Sequence, residues 1–165
     1  VKTLLLIRHA HASLKKPASG DLDRPLTAGG QETARKVAMA LKEKVRTPDL
    51  VISSPAVRTL DTAVILSNIL GYPRHEILVE SKIYYGTADD LFNLIVALPN
   101  SQDTVMITGH NPTITQLANS MMQNKIDYMP NNGVVCLQFE ADAWEDIPLA
   151  AGVTSFTLTP DLQEI

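Results

Sequence analysis

Leu4-Leu5-Leu6-Ile7-Arg8-His9 decides the fold, because four apolar residues run straight into a guanidinium and an imidazole. Four apolar residues without polar alternation predict a strand buried on both faces, as in a parallel sheet covered by helices. Two further runs have the same form. Leu50-Val51-Ile52 leads through Ser53-Ser54-Pro55 to Arg58, and Val105-Met106-Ile107 leads to Gly109-His110. In an open α/β sheet, ligands bind beyond the carboxyl ends of the strands. Arg8, His9, Arg58 and His110 are therefore predicted to meet in one crevice. The chain as a whole is acidic, with 14 Lys and Arg against 18 Asp and Glu and a formal net charge of −4. Cationic and donor groups gathered on an acidic protein need an anionic guest, and phosphate fits them best.

Helical spacing separates the strands. A helix is predicted from about Thr27 to Val45, with Ala34, Val37, Ala38, Leu41 and Val45 on one face. Ser54 as N-cap and Pro55 at the first helical position open a second helix, which runs to about Leu70 and stops at Gly71. A short strand at Ile77–Val79, a helix over Ala88–Leu98 and a strand at Thr104–Thr108 follow. Asn111-Pro112 repeats the cap-and-proline pattern and opens a helix to about Met122. Apolar runs at Val134–Phe139 and Val153–Leu158 predict a strand or hairpin at the sheet edge, and residues 10–26 form a polar loop. The expected fold class is α/β: a single three-layer domain over residues 1–165, with a mostly parallel central sheet and helices on both faces. Two strands lead into helix N-termini, whose free amides and dipole also favour an anion.

The bulk numbers narrow the function classes. A chain of 165 residues, 45% hydrophobic and 19% charged, suits one ordinary globular domain. Its acidic balance gives no support for nucleic-acid or anionic-membrane binding. No apolar stretch approaches the ~20 residues of a membrane span, and the first apolar run is too short for a signal-peptide core. A cytoplasmic setting is the expectation, and the oligomeric state is left open. The single cysteine, Cys136, sits in an apolar run and reads as a buried, inert thiol. His11, two residues past His9, would suggest a metal, but no cysteine or carboxylate completes a ligand set, so it reads as a rim residue. His75, Lys15 and Lys16 read as solvated, and Met121, Met122 and Trp144 as packing residues.

Four motifs in order resemble the histidine phosphatase superfamily. They are Leu6-Ile7-Arg8-His9-Ala10, Arg24-Pro25-Leu26-Thr27-Ala28-Gly29-Gly30, Ser53-Ser54-Pro55-Ala56-Val57-Arg58-Thr59 and Thr108-Gly109-His110-Asn111-Pro112. The compact length and the wording of these motifs are most similar to the phosphohistidine phosphatase branch, the SixA type. The resemblance implies a phosphoglycerate mutase-like fold and a covalent mechanism without metal or cofactor. His9 would attack phosphorus as a neutral imidazole, a state that the neighbouring arginines favour. Arg8 and Arg58 would hold phosphoryl oxygens in their planar forks. His110 would donate to the phosphoryl group. Glu80, ending the third strand, matches where relatives place a general acid, against the alternative of a surface carboxylate. Asn111 reads foremost as an N-cap, with an amide that could also face the phosphate. Arg24 matches a family position, although pairing with Asp21 or Asp23 explains it equally well.

Two departures stand out. Ala10 replaces the commoner glycine after the histidine, so the backbone there must avoid the left-handed region. Asp61 stands where relatives often carry glutamine, and either pairs with Arg58 or faces water. The segments after Arg58 and around residues 84–100 leave little room for a lid. An open pocket suits phosphohistidine presented by a signalling or phosphotransfer protein. The alternatives are a small-molecule phosphomonoesterase with the same covalent step and a noncatalytic phosphoprotein-binding module.

Overall fold

The computed structural model describes residues 1–165 and contains one six-stranded sheet in the order β3-β2-β4-β1-β5-β6. The strands are β1 (Lys2–Arg8), β2 (Leu50–Ser53), β3 (Leu78–Val79), β4 (Thr104–Gly109), β5 (Val134–Phe139) and β6 (Val153–Leu158). β3, β2, β4 and β1 pair in parallel, while β5 runs antiparallel to both β1 and β6. The fold is therefore α/β with a mostly parallel sheet, and the last two apolar runs form its antiparallel edge.

The apolar run of β1 is continuous because both of its faces are covered. Leu5 and Ile7 pack with Ala34, Val37, Ala38 and Leu41 of α1 (Ala28–Lys42) and with Ala63, Leu66 and Leu70 of α2 (Val57–Leu70). Leu4 and Leu6 pack on the other side with Leu91 and Ile95 of α4 (Ala88–Val96) and with Ile114, Leu117 and Ala118 of α5 (Thr113–Met121). Trp144 is fully buried in that second cluster, as packing predicts. The helix leaving β1 thus covers one face and the helix leaving β4 covers the other. Their adjacent carboxyl ends open the crevice expected at such a switch point. His9 follows β1, His110 follows β4, and the His9 N–H donates to the Gly109 carbonyl at 3.2 Å.

Several helix ends differ from expectation for local reasons. α1 is capped by Thr27, whose Oγ1 accepts from Gly30 N at 2.9 Å, but it ends at Lys42, three residues short of Val45. α2 stops at Gly71, which takes φ 85° as a glycine C-cap should. Its start is later than the Ser54-Pro55 pattern predicts, with Ala56 at the cap position; the Ser54 hydroxyl accepts the Ala56 N–H at 3.2 Å and also meets His110. Likewise Asn111 does not cap α5: its Nδ2 donates to the Met129 carbonyl and its Oδ1 accepts from Thr115. One short helix was not foreseen, α3 (Lys82–Tyr85), whose single turn is too brief for helical periodicity to reveal.

The loop after β1 folds back over the site. Ala12 bridges Leu26, and Ser13 N donates to Pro25 O at 2.8 Å. The loop meets α1 at Gly30, where a Cβ would stand 2.1 Å from the His11 carbonyl oxygen. Only glycine admits that approach, so Gly30 has a packing reason. A turn of 3₁₀ helix at Asp21–Asp23 then carries Asp21 toward Arg58.

Candidate active site

Arg8, His9, Arg58, His110 and Asn111 all line one cavity of about 430 Å³ at the carboxyl ends of β1, β2 and β4. The two imidazoles lie 5.4 Å apart between ring centroids. His9 is buried, and its Nδ1 lies 2.7 Å from the Ala10 carbonyl. A carbonyl only accepts, so Nδ1 carries the proton and Nε2 keeps its lone pair. That is the tautomer of a nucleophile. Ala10 is held by Thr62, whose Oγ1 accepts the Ala10 N–H at 3.0 Å, and it avoids positive φ as its Cβ requires.

Both imidazoles are kept neutral. Burial lowers the His9 pKa to about 4, with Arg58, Arg8 and Arg24 lowering it further and the Ala10 carbonyl opposing. Burial lowers His110 to about 3, aided by His9 and Arg58. Desolvation therefore outweighs the neighbouring arginines, which act in the same direction. Between pH 6.5 and 4 the unfolded chain binds protons that the folded chain refuses, so stability must rise with pH across this window. From pH 7 to pH 4 the loss from His9 alone is expected to be about 3 kcal/mol, at 1.36 kcal/mol per pKa unit. Urea midpoints measured across that range check this, and His9→Ala is expected to flatten the slope.

His110 is set by a residue that the sequence reading took for a helix cap. Its Nε2 lies 2.7 Å from Ser54 Oγ, and Ser54 is fully buried. Ser54 Oγ also accepts the Ala56 N–H at 3.2 Å, which leaves it one hydrogen and one lone pair for His110 Nε2. With Ser54 as donor, Nδ1 carries the single ring proton, and no protein acceptor meets it. Ser54→Ala is expected to lower kcat about tenfold, the value of one neutral hydrogen bond of about 1.4 kcal/mol, with KM little changed. Rescue by Ser54→Thr and a changed His110 tautomer in nitrogen NMR distinguish positioning from a packing defect.

The arginines are held differently. Arg8 donates from Nη1 to the Met129 carbonyl at 3.1 Å, and its buried Nε has no protein partner. Arg58 donates from Nη1 to the Asp21 carbonyl at 2.9 Å and from Nη2 to Asp21 Oδ2 at 3.0 Å. Asp61 is exposed and makes no hydrogen bond to Arg58, so the carboxylate that orients this arginine is Asp21. Asp21 also accepts from Arg24 Nη1 at 3.0 Å and from the Tyr84 hydroxyl at 2.6 Å. The Tyr84 hydrogen bond, followed by those from Arg24 and Arg58, holds the Asp21 carboxyl far below the usual carboxylate range. The Tyr84 ring stands edge-on to His110 at 5.3 Å. Tyr84 was not singled out in the sequence; the unforeseen helix α3 delivers it.

Glu80 is the correction. It does not line the cavity, and its Oε1 accepts the backbone N–H of Lys82 at 3.1 Å, which commits it to the start of α3. Asn111 lines the cavity, but with its amide committed to Met129 and Thr115 it braces the loop that also holds Arg8. His11 sits exposed at the rim, bonded to Thr27 Oγ1 at 3.0 Å. No three His, Cys, Asp or Glu side chains converge as a ligand set. Cys136 is buried, and burial pushes its thiol up to about 12, so it stays protonated. No helix is long and apolar enough to cross a membrane.

Comparison with known proteins agrees with this fold. The family model of the histidine phosphatase superfamily, branch 1, matches residues 4–82. The solved structure of a protein assigned as the phosphohistidine phosphatase SixA of Nakamurella multipartitia superposes with a TM-score of 0.82, at 25% identity and 96% coverage of both chains. A second solved structure, of the protein histidine phosphatase SixA complexed with tungstate, gives a TM-score of 0.81 at 23% identity, covering 96% of this chain and 97% of that one. An uncharacterized chloroplastic protein of Arabidopsis thaliana is 29% identical over 153 residues, 88% of this chain and 70% of that one.

Proposed function

We propose that the chain is a histidine phosphatase of the SixA type, which it resembles in the family model over residues 4–82 and in fold, and that it removes the phosphoryl group from phosphohistidine on a signalling or phosphotransfer protein. It is a hydrolase working through a phosphohistidine intermediate. In our reading the 165 residues act as one phosphatase domain in a cytoplasmic setting, where ATP-derived phosphoryl donors arise. His9 Nε2 attacks phosphorus while the substrate's N–P bond breaks. The substrate imidazole, protonated on its other ring nitrogen, leaves neutral. Arg8 and Arg58 hold the phosphoryl oxygens, and His110 donates to them as charge builds. Water then attacks the phosphoryl group on His9 and restores the free lone pair.

One observation carries the choice of substrate. The only carboxyl group lining the cavity is Asp21, and it is held ionised by Tyr84, Arg24 and Arg58. An alkoxide leaving group needs a proton from an acid in the pocket, and neither Asp21 nor Glu80 is in a position to supply one. A phosphorylated imidazole takes its proton from solvent beforehand. The open rim, where Leu14 is 87% exposed, also suits a side chain presented on another protein. A cavity of about 430 Å³ admits small phosphate esters as well, which keeps a phosphomonoesterase as the second reading.

The test is a comparison of kcat/KM for a phosphohistidine-bearing protein, p-nitrophenyl phosphate and phosphoserine. The expected result is a preference of at least 100-fold for the phosphoramidate over phosphoserine, with the activated aryl ester between them. Equal use of phosphoserine defeats the substrate assignment, and tight binding without turnover favours a binding module.

A further inference from the structure

Asp21 is an anion placed where the proposed guest is also an anion. The cavity is lined by three guanidinium groups, Arg8, Arg24 and Arg58, and Asp21 carries the single negative charge among its lining side chains. Such a carboxylate lowers the pocket's attraction for phosphate. Yet it is well built: Oδ2 receives both Arg58 Nη2 and the Tyr84 hydroxyl, and Oδ1 receives Arg24 Nη1. Tyr84 is itself braced edge-on against His110. The side chain remains 32% exposed, so the charge is felt in the cavity. A carboxylate has about four lone-pair positions and three bonds arrive, which leaves one acceptor position, at Oδ1.

We infer that Asp21 is a specificity-determining residue that reads the charge of the leaving group. It favours leaving groups that are cationic or present an N–H, and it disfavours those carrying a further negative charge. This rests on the phosphoryl-pocket reading above and sharpens its substrate class. A phosphorylated imidazole protonated on its distal nitrogen offers the N–H that Oδ1 can accept, whereas a phosphorylated carboxylic acid brings a second anion toward Asp21. Arg58 keeps three of its five N–H donors for the phosphoryl group while two hold Asp21. The same carboxylate therefore positions the phosphate fork and faces the departing group.

The experiment uses three phenyl phosphates of different leaving-group charge: 4-(aminomethyl)phenyl, phenyl and 4-carboxyphenyl phosphate. Wild-type protein is expected to rank them by kcat/KM in that order, corrected for phenol acidity by the uncatalysed rates, and the ranking is expected to weaken with added salt. Asp21→Asn is expected to shrink the aminomethyl-to-carboxyl ratio at least tenfold, while Tyr84→Phe, which keeps the carboxylate, retains the ranking. A wild type indifferent to leaving-group charge overturns the inference, as does an Asp21→Asn variant in which all three rates fall by one factor. The charge ranking without turnover of phosphohistidine leaves this inference standing and defeats the substrate assignment. Phosphohistidine turnover without the ranking does the reverse.

Discussion

Replacing His9 by alanine is expected to lower kcat by on the order of 10⁴-fold or more while oxyanion affinity changes by only a few-fold. The asymmetry follows from the geometry. His9 supplies the one lone pair held ready by its tautomer, through the Nδ1 bond to Ala10 O at 2.7 Å, and removing a nucleophile removes the covalent path altogether. In the proposed mechanism oxyanion binding falls to Arg8, Arg58 and His110, none of which His9 positions by a side-chain bond. Steady-state kinetics with competition by inorganic phosphate separate the two quantities. A variant within tenfold of wild-type kcat removes His9 from the reaction, and a large loss of phosphate affinity with it makes His9 a binding residue only.

Arg58→Ala is expected to cost about 10³-fold in kcat/KM, near 4 kcal/mol, shared between KM and kcat. Charged hydrogen bonds to a phosphoryl group are worth about 1.5–3 kcal/mol each. Arg58 also holds Asp21 by its carbonyl and carboxylate, so the variant frees the turn at Asp21–Asp23 as well. Arg58→Lys is expected to recover little, because a single ammonium cannot serve Asp21 and phosphate together. Pairing Arg58→Ala with Asp21→Ala in a double-mutant cycle should give a loss smaller than the sum, since the two side chains form one unit. Near-normal kinetics in Arg58→Ala would remove it from the site.

The parallel strands β1, β2 and β4 were legible because each apolar run is a strand covered on both faces, and the four chemical side chains followed because each sits at a strand end or one short turn beyond. What was not legible depends on partners distant in the chain. Ser54 carries a cap signature, and nothing local tells that its hydroxyl, 56 residues away, serves His110. Asp21 reads as a companion of Arg24, three residues on, while its longer-range partners Arg58 and Tyr84 lie on separate helices. Tyr84 sits on a four-residue helix that has no period to detect. Glu80 differs for the opposite reason: it directly follows the third strand, where the resemblance implies an acid, but its carboxylate turns to the backbone of Lys82. A motif thus reports which residues sit at strand ends, and the tertiary hydrogen bonds decide what each of them faces.

The central claim is that one imidazole nitrogen takes the phosphoryl group, and trapping that intermediate tests it most directly. Protein mixed with labelled phosphohistidine substrate, quenched in alkali within milliseconds and digested at high pH, is expected to carry one phosphoryl group, on His9, stable to base and lost in acid. Label on His110, serine or aspartate, or rapid turnover with no protein-bound phosphate at any time, would contradict the account.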